Sequence, residues 1–449
     1  MPDEHNDNYS IIPHTSLPLL LLLHEEDGWT LPRHNATSPE EINAAMQEQL
    51  GLTTTVLFCA YDRYQNEERE DEHCVYALEN HSPGTPVPAN ECWISRSELA
   101  ALPLIVPEHR PVLETWFAEI ESGQIPEQRL PWMRLGWFDS VTAWIGEQLE
   151  RMAYIQVAPI EQLVSRPWAA VLRVPTSNGI LYFKVPSPAF AFEPALTEAL
   201  HQLVPTFVPG VLATDKERGW MLLQDAGIEL LDVPLTLERL EEALGRFAQM
   251  QIELAEHMET LKATGCPDRR LYLLPGLYQE ILAATPFLLI DEPHGLPRSE
   301  HEQLLAFTPQ LREMCDELAS YKVPESLHHV DLHNGNILYN GETYTFIDAG
   351  EYCLAHPFCV MFIVLRVARY VLKYDEQMLG RLTQAYLAPW TRYEPMERLQ
   401  RIFELAHRLG ILYKALSWYD LITHLEPGMR WMHADMALYY LRVFLGTEE

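Results

Sequence analysis

The sequence predicts an α+β protein with more than one domain. At 449 residues the chain exceeds a single ordinary domain, and its 47% hydrophobic residues suffice for sizeable cores. Short apolar runs typical of strands occur in the first 120 or so residues. Two more occur within residues 169–185, and from Thr236 onwards apolar residues recur at helical spacing. We therefore expect two sheet-bearing regions followed by a mainly helical region.

The first region has a strand, helix, strand order. Residues 19–23 and 55–61 are apolar enough for two strands. Between them, Ser38-Pro39-Glu40-Glu41 is a capping box with proline at the first helical position, and Gly51 is a helix stop.

The second region predicts a pair of strands at residues 170–174 and 180–185, joined by a Thr-Ser-Asn-Gly turn. Alternation along the second strand places Lys184 on the face opposite to its apolar neighbours. A further apolar strand is expected at residues 220–224. In the helical region, Ser299 and Glu302 predict a capping box at a helix start.

One segment carries most of the functional information. Asp331 is followed five residues later by Asn336, and Asp348 follows two short apolar strands joined at Asn340-Gly341, a hairpin signal. The hairpin would return Asp348 to the neighbourhood of Asn336. Phosphoryl transfer needs a group that orients and deprotonates the attacking hydroxyl, and hard oxygen ligands for magnesium. Asp331 suits the first role, and Asn336 with Asp348 suits the second.

Two other interpretations apply to the same residues. The run Asp-Leu-His-Asn-Gly-Asn is rich in turn formers and would suit a solvated loop, but this explains neither the spacing nor the flanking strands. His328, His329 and His333 could ligate zinc, but no cysteine pair or further histidine cluster stands nearby to complete four ligands.

The segment resembles the signature of the aminoglycoside phosphotransferase family, the small-molecule branch of the protein-kinase-like fold. That signature is His-x-Asp-Leu-His-x-Gly-Asn, then an apolar strand and Asp. The matching residues are His329, Asp331, Leu332, His333, Gly335, Asn336 and Asp348, with His356-Pro357-Phe358 following at the expected place. The resemblance implies a two-lobed fold in which Asp331 is the catalytic base and Asn336 and Asp348 are magnesium ligands. It implies a structural role for His329.

The resemblance also implies a nucleotide site for ATP or GTP. Lys184 would hold the α- and β-phosphates, and a glutamate on the following helix would hold Lys184; Glu193 is the first candidate, and Glu198 stays open. Backbone groups of the next strand would bind the purine, at Met221, Leu222, Leu223 and Gln224. No glycine occurs at positions 147–178, so the glycine-rich phosphate loop of protein kinases is missing. This keeps a nucleotide-binding regulatory pseudoenzyme as the alternative.

The first region resembles a Nudix domain, on Gly-Trp-Thr-Leu-Pro at residues 28–32, Gly51-Leu52 and residues 93–99. A Nudix box carries clustered carboxylates on one helix face to hold a metal. In the corresponding run, residues 44–52, Glu48 alone remains of three expected glutamates, and Ala44 replaces the arginine. We expect a Nudix-like α/β/α domain that does not hydrolyse and acts as a sensor, scaffold or specificity module.

Composition limits the classes of partner and the cellular setting that we expect. With 32 basic and 64 acidic residues the net charge is -32, which opposes nucleic acid and favours a cationic acceptor, although acidity also keeps a protein in solution. The seven cysteines are scattered without Cys-x-x-Cys spacing, so we expect reduced thiols. The longest apolar runs, residues 19–23 and 358–365, are too short to span a membrane. Residues 1–5 lack a secretory signal pattern, and we expect a cytoplasmic protein.

The predicted organisation is a non-catalytic Nudix-like domain at 1–121, a helical connector at 122–160, a nucleotide-binding lobe at 161–228 and a helical lobe at 229–449. The last would carry the catalytic loop and the acceptor pocket. The expected activity is that of a kinase, which moves the γ-phosphoryl group of ATP or GTP to a hydroxyl of an aminoglycoside-like, sugar or amino-alcohol acceptor with Mg²⁺. The alternative is a regulatory pseudoenzyme with a Nudix-like sensor domain.

Overall fold

The computed structural model describes residues 7–62, 73–84, 91–433 and 435–448. Residues 1–5, on which the expectation about a secretory signal rests, lie outside these ranges. The chain divides into two compact units, Met1–Val185 and Pro186–Glu449, and each is described by itself. The fold is of the α+β class, as the sequence predicts.

The first unit begins with two small sheets. Its first seven strands are β1 (Asn8–Ile11), β2 (Leu20–Glu25), β3 (Gly28–Thr30), β4 (Arg33–His34), β5 (Thr54–Asp62), β6 (Cys74–Asn80) and β7 (Glu91–Ile94). One sheet has the order β4-β1-β6-β5 and is mixed, because β1 and β6 run parallel. The other has the order β3-β2-β7 and is antiparallel. The helices of this part are α1 (Pro39–Leu50), α2 (Arg96–Leu99) and α3 (His109–Ser122).

Helix α1 has the boundaries that the sequence predicts. The Ser38 side chain accepts a hydrogen bond from the Glu41 backbone N–H, and the Glu41 carboxylate accepts one from the Ser38 N–H. Gly51 ends the helix at φ +67°, a conformation that glycine adopts without strain. Ile42 and Met46 are fully buried, so one face of α1 packs into the core of the unit.

The rest of the first unit contains α4 (Trp137–Met152) and the neighbouring strands β8 (Glu161–Ser165), β9 (Ala169–Thr176) and β10 (Gly179–Pro186). Phe183 of β10 is buried, with its ring centroid 6.1 Å from that of Trp137 and 5.9 Å from that of Trp144. Lys184, the next residue, is half-buried on the opposite face. The predicted alternation along this strand is confirmed.

The second unit is mainly helical. Its helices are α5 (Glu193–Leu203), α6 (Leu237–Leu254), α7 (Met258–Ala263), α8 (Leu274–Ala283), α9 (Thr285–Leu288), α10 (Arg298–Ala319), α11 (Met361–Tyr370), α12 (Glu376–Leu387), α13 (Met396–His424) and α14 (Met436–Leu445). Its strands are β11 (Val211–Asp215), β12 (Trp220–Gln224), β13 (Ile228–Glu229), β14 (Ser326–His329), β15 (Ile337–Tyr339), β16 (Tyr344–Phe346) and β17 (Tyr352–Ala355). Strands β11 and β12 form an antiparallel hairpin, β13-β15-β16 form a small sheet, and β14 pairs with β17.

The capping box predicted at Ser299 is wrong. Helix α10 begins at Arg298, so its N-cap residue is Pro297, two residues before Ser299, and Pro297 has no side chain that can cap it. Asp291 supplies the missing acceptor instead, since its carboxylate accepts the Arg298 backbone N–H at 2.8 Å. Ser299 therefore lies inside the first turn.

Helix α13 runs through the core of the second unit. Gly410 on this helix lies close to the backbone that leads into α11: a Cβ at Gly410 would stand 2.5 Å from the Cys359 carbonyl oxygen and 2.6 Å from the Phe362 Cβ. The absence of a side chain at Gly410 therefore permits this contact. Lys414 follows one turn later on the same helix.

No disulfide joins the seven cysteines, all of which lie in the described part of the chain. Within the same ranges no helix combines the length and the apolar character that crossing a bilayer requires.

Candidate active site

The hairpin β15–β16 brings two predicted site residues together. Ile337 pairs with Phe346, and the Asn340 side chain closes the turn by accepting the backbone N–H groups of Glu342 and Thr343. At the open end, the N–H of Ile347 donates to the carbonyl oxygen of Asn336 at 3.1 Å. Asp348 is the next residue, so its predicted return to the neighbourhood of Asn336 is confirmed.

The Asn336 side chain ties the loop to Asp331. Its Nδ2 donates to the Asp331 carbonyl oxygen at 2.9 Å and lies 3.3 Å from His333 Nε2. Because the amide nitrogen is used within the loop, the amide oxygen is the atom that can bind a cation.

His329 links Asp331 to the end of the hairpin at Ile347 through hydrogen bonds at both ring nitrogens. Its Nδ1 accepts the backbone N–H of Asp331 at 3.2 Å, so the proton of the neutral ring is on Nε2, which donates to the Ile347 carbonyl oxygen at 3.1 Å. Burial lowers the pKa of His329 to about 4, against the opposing influence of the Asp348 and Asp331 charges. The ring is therefore neutral at physiological pH and serves as a fixed structural link.

Asp331 is paired with a buried cation that the sequence analysis missed. The Nζ of Lys414 lies 2.9 Å from Asp331 Oδ1, and His333 Nε2 lies 4.0 Å from Oδ2. The Lys414 side chain is only 5% exposed. Burial by itself lowers the pKa of Lys414, but the charges of Asp331 and Glu351 outweigh this and raise it, so Lys414 is charged. A lysine inside the otherwise apolar run 411–416 was the available signal.

Glu351 is a further buried carboxyl group near this pair. Its Oε2 accepts the hydroxyl of Ser417 at 2.9 Å. Burial raises the pKa of Glu351, the attraction of Lys414 opposes this, and the negative charges of Asp331 and Asp348 add to the increase. The centre thus combines three carboxyl groups with one buried ammonium.

Asp348 begins a tight turn in an uncommon backbone conformation. Its φ of +65° and ψ of +58° lie in the left-handed region, which aspartate tolerates better than most residues. A Cβ at Gly350 would stand 3.0 Å from Glu193 Oε2 and 3.1 Å from the Phe190 Cβ, so this turn packs directly against Glu193.

The two glutamates of α5 differ in their surroundings. Glu193 is 2% exposed and lies beside the turn that follows Asp348. Glu198 forms an ion pair with Lys216 at 2.6 Å, and about a third of its side chain is exposed. Only Glu193 has the burial expected of a residue in an active centre.

The remaining predicted site residues lie on strands. Lys184 occupies the half-buried position on β10 of the first unit described above. On β12 of the second unit, Met221 and Leu222 are buried, Leu223 is half-buried and Gln224 is exposed.

The donor atoms near Asp348 fit a hard cation. An amide oxygen and a carboxylate are ligands that magnesium accepts, and magnesium keeps several further positions for water and substrate phosphates. Among the described residues, no group of three or more histidine, cysteine, aspartate or glutamate side chains is placed to hold a metal ion. The loop thus carries two oxygen donors of the kinds that magnesium accepts, the Asn336 amide and the Asp348 carboxylate.

The sequence profile of the phosphotransferase enzyme family matches residues 164–396, a little over half of the chain. The chain belongs to this family. It is therefore an enzyme of the phosphotransferase class. The matched range includes the strands β9 and β10, the loop from Asp331 to Asn336, and Asp348.

Several solved structures are similar to this phosphotransferase. A macrolide 2'-phosphotransferase type I is 15% identical, with 66% of this chain and 97% of that chain covered and a TM-score of 0.45. A choline/ethanolamine kinase family protein from Mesorhizobium loti is 17% identical, with coverages of 65% and 89% and a TM-score of 0.41. An aminoglycoside phosphotransferase from Streptomyces rimosus is 21% identical, with coverages of 59% and 97% and a TM-score of 0.37. No curated protein matches the chain.

Proposed function

We propose that this phosphotransferase moves the γ-phosphoryl group of ATP or GTP to a hydroxyl of a small acceptor of the aminoglycoside, sugar or amino-alcohol class, in a two-lobed protein-kinase-like fold. The observation that carries the proposal is the hydrogen-bonded loop that joins Asp331, Asn336 and Asp348. Asn336 contacts the backbone of Asp331 through its side chain and the residue before Asp348 through its own backbone.

In the proposed reaction Asp331 acts as the general base. Its carboxylate orients the acceptor hydroxyl and takes its proton while the hydroxyl oxygen attacks the γ-phosphorus and the nucleoside diphosphate leaves. The amide oxygen of Asn336 and the carboxylate of Asp348 hold Mg²⁺, which when bound neutralises phosphate charge. The neutral His329 fixes the position of Asp331 relative to the end of the hairpin through its two hydrogen bonds.

The nucleotide would be held by residues before the catalytic loop. In this proposal Lys184 binds the α- and β-phosphates, and Glu193 keeps Lys184 in place. The backbone of Met221, Leu222, Leu223 and Gln224 accommodates the purine. The burial of Glu193 beside the turn of Asp348 supports it over Glu198, whose carboxylate is already paired with Lys216.

The acceptor is proposed to be a small molecule, and the net charge of -32 favours a cationic one over a polyanion such as nucleic acid. The same charge is compatible with a cytoplasmic protein, which we propose as the setting of the reaction.

We further propose that residues 1–121 form a Nudix-like domain without hydrolase activity. A mixed four-stranded sheet, a three-stranded antiparallel sheet and the capped helix α1 support the likeness. Glu48 is exposed on α1, and a single exposed carboxylate holds a divalent cation poorly. Incubation with nucleoside diphosphate compounds and Mg²⁺ should therefore give no hydrolysis, and Mg²⁺-dependent cleavage would contradict the proposal.

The phosphotransfer is tested by incubating the full chain with radiolabelled ATP or GTP, Mg²⁺ and a panel of aminoglycosides, sugars and amino alcohols. Asp331→Asn keeps the size of the side chain and removes the base, so transfer should fall by about 10²- to 10⁴-fold. Glu342→Gln, in the exposed turn of the same hairpin, is the matched control and should keep full activity. Equal activity in Asp331→Asn and the wild type would overturn the assignment of the base.

A further inference from the structure

Helix α13 presents two polar side chains to the catalytic centre from one face. Lys414 and Ser417 are three residues apart and therefore lie on the same side of the helix. Lys414 contacts Asp331 Oδ1 at 2.9 Å, and the Ser417 hydroxyl donates to Glu351 at 2.9 Å. Each of these two residues thus binds one carboxyl group of the centre.

The contact at Lys414 differs from a surface ion pair of the same helix. Arg401 on α13 pairs with Glu317 at 3.4 Å, and more than half of its side chain is exposed. Such surface pairs are screened by water and contribute little. Lys414 is 5% exposed, its Nζ lies 5.7 Å from the centroid of the Trp418 ring, and its partner is the carboxylate at the centre of the site.

The two carboxylate oxygens of Asp331 have different neighbours. Oδ1 is the oxygen nearer to Lys414, with Nζ at 2.9 Å, and Oδ2 lies 4.0 Å from His333 Nε2. An anchored Oδ1 fixes the rotation of the carboxylate, and Oδ2 is then the oxygen that can receive a proton from an acceptor.

The position of Lys414 is itself fixed by packing. Gly410, one turn before it, brings α13 against the Cys359 carbonyl, and any side chain there would force the helix away. The ammonium group therefore approaches Asp331 from a helix whose position the core determines, not from a mobile loop.

We propose that Lys414 is a positioning residue for phosphoryl transfer, which holds Asp331 through Oδ1 in the orientation from which Oδ2 accepts the hydroxyl proton. This inference rests on the proposed function. Lys414 does not contact the reacting atoms in this assignment and acts only through Asp331.

The kinetic test compares Lys414→Met, which keeps the length of the side chain and removes its charge, with Arg401→Met as a control on the same helix. Loss of orientation should lower kcat by about 100-fold, while KM for nucleotide and acceptor is unchanged. Arg401→Met should retain wild-type values. If Lys414→Met keeps wild-type kcat while the wild type transfers phosphate, the inference is overturned and the proposed function stands.

A second measurement covers the case in which the single variant folds poorly, because removal of Lys414 leaves the half-buried Asp331 without this partner. Urea unfolding of Lys414→Met, Asp331→Asn and the double variant gives the free energies of unfolding for a double-mutant cycle. If Lys414 holds Asp331, the double variant should lose less stability than the sum of the single losses. Additive losses would overturn the inference. A wild type that transfers no phosphate would refute the proposed function itself, and the cycle would still decide whether Lys414 holds Asp331.

Discussion

Replacing His329 with leucine tests whether the hydrogen bonds of this ring hold Asp331 and the end of the hairpin in place. Leucine fills a similar volume, so the packing against Tyr352, whose ring centroid lies 4.6 Å away, is largely kept. The substitution removes both hydrogen bonds of the ring and leaves the N–H of Asp331 and the carbonyl oxygen of Ile347 without their partner.

The size of the effect follows from these two groups. A hydrogen bond contributes about 0.5–1.5 kcal/mol, and both of these are partly buried, so the loss of the two should lower the free energy of unfolding by about 1–3 kcal/mol. Because the same bonds hold Asp331, the proposed base, and the hairpin end that precedes Asp348, both carboxylates should shift. A displacement of about 1 Å can lower the rate about 100-fold.

Urea unfolding measures the stability, and the phosphate-transfer assay measures kcat of the folded variant. His301→Leu is the matched control, since it removes a single hydrogen bond from a histidine ring to the Leu282 carbonyl oxygen, away from the catalytic loop. It should cost about 1 kcal/mol and leave kcat unchanged. If His329→Leu is as stable and as active as His301→Leu, the linking role of His329 is refuted.

Three further substitutions test other parts of the same unit. Gly410→Ala should lower the free energy of unfolding by about 1–3 kcal/mol in urea, because the new Cβ would stand 2.5 Å from the Cys359 carbonyl oxygen; no loss would show that α13 can move freely. Asp348→Asn should preserve stability, because asparagine also adopts positive φ, but transfer should fall at least about 10- to 100-fold and require more Mg²⁺; unchanged Mg²⁺ dependence would exclude Asp348 as a ligand. Burial lowers the pKa of His356 to about 3. Below pH 6.5, therefore, His356 binds a proton in the unfolded chain but stays neutral in the native protein. Stability should therefore be lost as the pH falls from about 6.5 to about 3, by up to about 5 kcal/mol from this residue, and His356→Asn, compared by urea unfolding at pH 7 and pH 4, should remove that part of the dependence.

Local signals in the sequence were sufficient for helix α1 of the first unit and for the hairpin that precedes Asp348 in the second. The capping box at Ser38 and the stop at Gly51 bound α1 as expected, because capping depends on side chains a few residues away. The hairpin around Asn340 also depends on near neighbours. Ser299 shows the limit of such reasoning, since the acceptor that sets the start of α10 is Asp291, which belongs to the preceding loop.

Lys414 shows why the local charge around Asp331 could not be predicted from the composition of the chain. The expectation of a cationic acceptor rested on the net charge of -32, a property of the whole chain. In the folded unit Asp331 and Glu351 share a buried ammonium, Lys414 of α13, and the packing of that helix at Gly410 brings it there. An acceptor whose positive charge lies next to the reacting hydroxyl would meet Lys414 as well as Asp331. For the cationic acceptor proposed above, the favourable position of the positive charge is therefore away from the hydroxyl that is phosphorylated and away from Lys414.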